Sequence, residues 1–305
     1  MRAQVLHDTT GPGALRLEEI DAPEAGDGLV AIDVHAAGMG FVDYLVTRGE
    51  YQIQPPLPFV PGIEVAGTAG GRRVAATVPV GAFAEVAVAP EFLVYELPDA
   101  LPFATAAAMV TNFQTAHLAL IKRGRIQAGE TVLVLGGAGG VGLACIAVAK
   151  AAGAGRVVAV VSSAERGELA TGAGADGICL VDDERWEQAD IVVDPVGGDA
   201  FKRGLRSLNP HGRLLVIGFA SGTIPEVAVN RLLLKSTDVV GVNYGGSLMF
   251  DQQFAQSAWA DLMGWWSAGT LTVDGISEHP LEDVPAVLDG LGSRRVTGKP
   301  VAVLR

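Results

Sequence analysis

Beyond residue 130 the chain alternates short apolar, β-branched runs with stretches of helical pattern. The runs fall at 131–136, 157–161, 177–181, 190–194, 213–218 and 238–242. Helical pattern fills 141–152, 165–172, 199–208 and 229–235. Strands separated by helices predict parallel βαβ units with right-handed crossovers, and six such strands suffice for a dinucleotide-binding sheet. Only 182–189 separates the third run from the fourth, so that crossover helix is expected to be trimmed away. The first 110 residues read differently. Short alternating runs such as 29–34 and 83–88 are broken by Gly and Pro clusters, the pattern of a small β-barrel or sandwich. Proline density over 55–62 excludes a regular central strand there. The run 300–304 predicts a last strand returning to the first domain.

The first helical run of the second half follows a glycine cluster. Thr131 to Leu135 leads into Gly136-Gly137-Ala138-Gly139-Gly140-Val141-Gly142 and then a good helix former. Gly137, Gly139 and Gly142 have G-x-G-x-x-G spacing. In a strand–turn–helix setting that spacing predicts a pyrophosphate cradle: Gly137 for the tight turn, Gly139 for close backbone approach, Gly142 for helix–strand packing. The helix N-terminus adds unpaired N–H groups and a positive dipole end. The next run ends at Ser162-Ser163, with Arg166 three residues on. The acid that would accept from a ribose 2′-hydroxyl is missing there, and small hydroxyls with an arginine suit a 2′-phosphate. NADPH is therefore the expected cofactor rather than NADH.

Composition narrows the class. The 305 residues are 49% hydrophobic, enough for two domains with sizeable cores. No apolar run reaches the roughly 20 residues that span a bilayer, and the first residues lack an apolar signal core, so a cytoplasmic location without membrane partners is expected. A net charge of -12 argues against nucleic acid. The two cysteines, Cys145 and Cys179, fall inside predicted Rossmann elements and read as core residues.

Motifs along the whole chain carry a resemblance. They are Gly38-Met39-Gly40-Phe41-Val42-Asp43, Arg48-Gly49-Glu50-Tyr51 and Pro58 to Gly67 in the first part. Gln114-Thr115-Ala116, Asp194-Pro195-Val196-Gly197-Gly198, Gly212-Arg213 and Asn230 to Lys235 follow, and Val296-Thr297-Gly298-Lys299 closes the series. In that order they resemble the zinc-independent quinone oxidoreductases of the medium-chain dehydrogenase/reductase superfamily. The resemblance implies an α/β chain with a GroES-like β-barrel substrate domain at 1–113 and 246–305 and a Rossmann NADPH-binding domain at 114–245. It implies a homodimer as well, for which the edge strand near Val239–Asn243 is the expected seam. Cofactor contacts are expected at Thr115, Gly137, Ala138, Gly139, Gly140, Val141, Gly142, Ser162, Ser163, Arg166, Gly218, Phe219 and Lys299.

Zinc-dependent relatives need a cysteine after the first long strand and a Gly-His-Glu turn. This chain has Gly38-Met39-Gly40 and Gly62-Ile63-Glu64 there, and its five histidines (7, 35, 117, 211, 279) lack ligand spacing, so no metal is expected. Hydride transfer must then rest on positioning and hydrogen bonds. By resemblance Tyr51 is the expected donor to a developing oxyanion, protonated at neutral pH. Asp43 is expected to orient rather than donate, because an unperturbed carboxyl is ionised at pH 7. Departures from the family are Gly40 in place of an asparagine, Tyr44 one residue out of register with a second tyrosine, a shortened 70–81 segment, and Leu180-Val181-Asp182 where a tyrosine is common. Three functions fit: an NADPH-dependent quinone reductase, a reductase of activated C=C bonds in enals, enones or enoyl thioesters, and an NADPH-binding sensor with little turnover.

Overall fold

The computed structural model describes residues 1–305, the side chain of residue 252 excepted. The chain divides into two units, Met1–Thr111 with Ile276–Arg305, and Asn112–Gly275. The expected boundary at 246 is corrected to 275/276. No strand follows at 246; two helices do, and the return to the first unit begins only at Ile276.

In unit 1, β1 (Arg2–Leu6) pairs antiparallel with β2 (Leu15–Glu19). The long β3 (Leu29–Gly38) leads into helix α1 (Phe41–Thr47). Then come β4 (Glu64–Ala69), β5 (Arg72–Thr77), β6 (Val86–Pro90) and β7 (Val94–Glu96), and helix α2 (Phe103–His117), in which this unit ends. β4 and β5 form a hairpin whose Ala69–Arg72 pair is joined by Gly70 and Gly71, both at positive φ. Two positive φ values match the twist of a tight two-residue hairpin and favour glycine. The shortened 70–81 segment is this turn together with the strand that follows it.

Unit 2 is the alternating half. Its strands are β8 (Thr131–Leu135), β9 (Arg156–Val161), β10 (Gly177–Leu180), β11 (Ala189–Asp194), β12 (Leu208–Val216) and β13 (Asp238–Gly241). They are parallel, in the order β10-β9-β8-β11-β12-β13. That order is two mononucleotide-binding halves reversing direction at β8/β11. The crossover helices are α3 (Gly140–Ala151), α4 (Ala164–Gly172), α5 (Gly198–Arg206) and α6 (Asn230–Lys235), and no helix stands between β10 and β11. β12 starts five residues before the expected 213, with an irregular register against β11. Helices α7 (Tyr244–Phe250) and α8 (Gln252–Ser267) complete the unit. Leu143 through Ala149 of α3 are all buried, as are Val132–Leu135 and Val157–Val161 of β8 and β9. A strand buried on both faces reads as a continuous apolar run, which is why these were legible. Cys145 and Cys179 are buried free thiols, and burial pushes the Cys145 thiol up to about 12, leaving it inert.

The chain then returns to unit 1 through β14 (Ile276–Pro280), α9 (Val284–Gly292) and β15 (Lys299–Val303). β15 pairs with β3, so the predicted return of the last strand is found. The sheet order is β14-β15-β3-β4-β5-β7, with β6 on β3. Its core is built from Ile32, Val34, Val65, Val74, Phe83, Val284 and Leu288. Among the described residues no helix is long and apolar enough to cross a membrane.

Candidate functional site

Strand β8 ends at the glycine turn, and the glycines divide their work differently from the sequence reading. The positive φ falls at Gly136 (φ +63), not at Gly137, so Gly136 makes the turn. At Gly137 a Cβ would lie 2.6 Å from the Ala159 Cβ, and at Gly142 one would lie 2.3 Å from the Gly136 carbonyl oxygen. Both glycines are therefore required by packing, Gly137 against β9 and Gly142 against the turn. Gly139 differs: a Cβ there would meet only the Gly136 oxygen, at 3.5 Å, an ordinary contact. Its bareness serves neither packing nor backbone conformation and leaves the turn open to a ligand. Gly139 is also the N-cap of α3, with no side-chain cap, so the first N–H groups of Gly140, Val141 and Gly142 are offered outward.

Ser162 and Ser163 end β9, and Ser163 caps α4 by accepting the Arg166 N–H at 3.3 Å. Ser162 is exposed; Ser163 and Arg166 are half-buried. Gly218 and Phe219 follow β12, where the Gly218 N–H meets the Asp194 carbonyl. Two buried polar residues that sequence reasoning did not select as site residues belong to this unit. Asp194, at the end of β11, accepts the Val196 and Gly197 N–H groups through Oδ1 at 2.8 Å each, while its Oδ2 has no partner. Burial pushes its carboxyl above the usual range, opposed by those two N–H groups. Gln114, beside Thr115 on α2, is fully buried with both amide atoms unpartnered. Orphaned buried polar atoms are costly. Together with the open Gly139 turn, they fit unit 2 to a dinucleotide carrying phosphates, hydroxyls and an amide. Both residues stand within quoted motifs, but burial and lack of partners are not sequence properties.

Lys299 lies in unit 1, buried, with its ammonium ion-paired to Glu64 and donating to the Met39 carbonyl at 3.0 Å. Glu64 also accepts the Thr111 N–H at 2.8 Å. A Cβ on Gly38 would lie 2.5 Å from Glu64 Oε1, so this glycine makes room for the glutamate. The ammonium expected at the cofactor is thus also held in a buried ion pair with Glu64. Asp43 sits beside it. Helix α1 starts at Gly40, whose N–H is accepted by Asp43 Oδ2 at 2.7 Å. Asp43 is 1% exposed, and burial pushes its carboxyl up to about 7 against the pull of Lys299 and the Gly40 N–H. Burial thus moves this carboxyl away from the ordinary value on which its expected role was argued.

Tyr51, expected as the donor, is half-buried after the turn at Gly49 (φ +67). Burial, then the charge of Asp43, raises its phenol above the ordinary value. Tyr44 stacks on Phe41 at 5.5 Å and lies so close to Gly292 that a Cβ there would be 2.1 Å from its ring. It is a packing residue joining α1 to α9. Gly40 is an N-cap and carries no amide to orient a substrate. The segments Gly38-Met39-Gly40 and Gly62-Ile63-Glu64 carry no thiolate or imidazole. Among the described residues no group of three His, Cys, Asp or Glu side chains is placed to hold a metal.

Residues 140–262 match the zinc-binding dehydrogenase family. The mouse quinone oxidoreductase-like protein 2 is 32% identical over 95% of this chain and 89% of its own. The quinone oxidoreductase of Thermus thermophilus, solved alone and with NADPH, superposes with a TM-score of 0.88 at 34% identity, covering all of both chains. That of Escherichia coli, complexed with NADPH, gives 0.89 at 26% identity over 99% and 100% of the two chains. With its nicotinamide-dinucleotide-binding unit and GroES-like partner unit, the chain is an oxidoreductase and belongs to the quinone oxidoreductase branch of the medium-chain dehydrogenase/reductase superfamily.

Proposed function

We propose that the protein is an NADPH-dependent, metal-independent reductase of quinones. The observation that carries the cofactor choice is the end of β9: Ser162 and Ser163 stand where an NAD-type site holds an acid, and Arg166 lies in the first turn of α4. Relatives named for quinones, two of them solved with NADPH, support the rest. The open Gly139 turn and the N-terminus of α3 hold the pyrophosphate, and Thr115 and Gln114 supply polar groups from α2. When bound, the nicotinamide supplies the hydride. Tyr51 donates a hydrogen bond to the acceptor oxygen on which negative charge collects, and so lowers the barrier in the way a preorganised donor does.

NADPH oxidation should proceed with 9,10-phenanthrenequinone and 1,4-benzoquinone, and more slowly with a 2-alkenal or a crotonyl thioester. The rates should survive prolonged dialysis against a strong chelator. Faster turnover of the alkenal would move the substrate class to activated C=C bonds. Tight NADPH binding without turnover on any acceptor would make the chain a sensor, and activity lost to the chelator and restored by zinc would sink the metal-free reading.

We also propose that it is a homodimer through the free edge of β13. That strand pairs only with β12, and exposed apolar side chains stand in the elements on either side of it: Leu233 (78%) and Leu234 (80%) on α6, Met249 (77%) and Phe250 (88%) on α7. The Val242 N–H goes to the Val216 oxygen, so alternation turns the Val240 N–H inward to β12 and the Val239 N–H outward. Val239→Pro should therefore weaken the dimer while sparing the sheet, as read by sedimentation; a parent protein that is monomeric at micromolar concentration would overturn this assembly.

A further inference from the structure

We infer that Asp182 is a specificity-determining residue. Arg203 and Trp186 fasten the turn that carries it beside Ser162 and Ser163, where its carboxylate opposes a 2′-phosphate and limits the preference for NADPH over NADH. This rests on the proposed cofactor reading only for where the 2′ end of the cofactor lies.

Strands β8, β9 and β11 each run into a helix, whose N-terminus favours an anion. β10 does not. It ends in a turn, Leu180-Val181-Asp182-Asp183, so acids stand where a helix would offer N–H groups. Asp183 closes this turn twice. Its N–H meets the Leu180 carbonyl at 3.1 Å, and its Oδ2 accepts the Leu180 N–H at 2.6 Å. The Trp186 Nε1 donates to the same carbonyl at 2.9 Å. Arg203 of α5 lies over the Trp186 ring at 4.1 Å and donates to the carbonyls of Val181 and Asp183. A guanidinium that stacks on an aromatic face and forks to two acceptors is a stiff support. So many bonds on one surface turn hold it in a single conformation, the condition under which a side chain acts at a fixed place.

That place is next to the end of β9. Leu180 pairs with Val161, and the Val181 N–H bonds to the Val161 carbonyl at 2.9 Å, so the turn continues the ladder toward Ser162. Neighbouring strands lie about 4.8 Å apart. Asp182, exposed in the turn, therefore stands beside the strand end that carries Ser162 and Ser163 and leads into Arg166. A phosphate monoester brings about −1.5 to −2 charges at pH 7. Over roughly 10 Å near a protein surface, a like charge lowers the affinity for it about three- to tenfold. Arg166 attracts the 2′-phosphate and Asp182 repels it, while an uncharged ribose 2′-hydroxyl is indifferent to both. The chain thus prefers NADPH by less than its arginine alone would give.

Titration calorimetry on the full-length protein reads this without any turnover. The probes are adenosine 2′,5′-bisphosphate, which carries the 2′-phosphate, and 5′-AMP, which does not. In low salt Asp182→Asn should bind the bisphosphate roughly three- to tenfold more tightly than the parent, and 5′-AMP equally well. In about 1 M salt, where charges reach only roughly 3 Å, the gain should fall below about twofold. Asp182→Glu should behave as the parent. Glu184→Gln removes the same charge further along the chain and should gain less than about twofold in low salt. Arg203→Met frees the turn, so Asp182→Asn should gain less on that background than on the parent. Asp182 is exposed, so its own variants decide the matter if Arg203→Met fails to fold. The inference is overturned if both probes tighten alike, if neither tightens, if 5′-AMP binding is lost, or if Glu184→Gln matches Asp182→Asn. A parent that holds the bisphosphate no better than 5′-AMP would count instead against the NADPH reading, and the change on Asp182→Asn would still decide the inference.

Discussion

Tyr51→Phe should cost about a hundredfold in turnover with an enone acceptor and about tenfold with a quinone, while leaving NADPH binding nearly unchanged. The phenol sits in unit 1, half-buried after α1, whereas the dinucleotide-binding features sit in unit 2. On the proposed reading, losing the hydroxyl removes the polarising donor and leaves the glycine turn of unit 2 unaltered. Enones accept hydride poorly unless their carbonyl is polarised, so removing one positioned donor acts on most of their activation. Quinones spread the developing charge over two oxygens and the ring, and need the donor less. Steady-state kinetics with both acceptors, beside a fluorescence titration of NADPH, read the two effects separately. Turnover intact on both acceptors would make Tyr51 a packing residue and shift polarisation to backbone N–H groups or water.

Arg166→Ala should raise the Michaelis constant for NADPH about ten- to a hundredfold and barely alter that for NADH. A hydrogen bond to a charged group is worth about 1.5–3 kcal/mol, which is this range of affinity. Arginine is the cleaner target of the β9 end. Ser163 accepts the Arg166 N–H as the N-cap of α4, so replacing it removes a cap worth about 1 kcal/mol along with any phosphate contact. Arg166 contributes its backbone to that cap whatever its side chain is. Comparison of kcat/KM for the two cofactors, parent against variant, makes the test. A parent enzyme equally efficient with NADH and NADPH would refute the assignment.

Local pattern carried most of the fold. The six strands of unit 2 lie within two residues of where the apolar runs place them, except at the start of β12. Strands buried on both faces must be apolar throughout, and their helices must begin at the following turn, so little else in the chain can imitate them. The glycine spacing on β8–α3, and Ser162, Ser163 and Arg166 on β9–α4, could be singled out because each set is contiguous on its own strand–turn–helix unit. The unit boundary was not. Whether 246–275 belongs with one unit or the other depends on which helices those residues form and what they pack on, and both assignments satisfy the local pattern.

The sequence by itself determined the dinucleotide-binding fold and the place of its glycine turn after β8. Only the tertiary structure decided the state of the charges. Asp43 and Lys299 are separated by most of the chain, yet β15 returning to β3 brings Lys299 to Glu64 and to the Gly40 end of α1. Nothing in the motif around Asp43 says that its carboxyl is dry or that its nearest cation already belongs to another acid. The same holds for the glycine turn: the positive φ falls at Gly136, and Gly137, expected to make the turn, is instead held by packing on Ala159 of the neighbouring strand. Protonation and close packing are set by what surrounds an atom in space, and for these residues the surroundings come from segments far away along the chain.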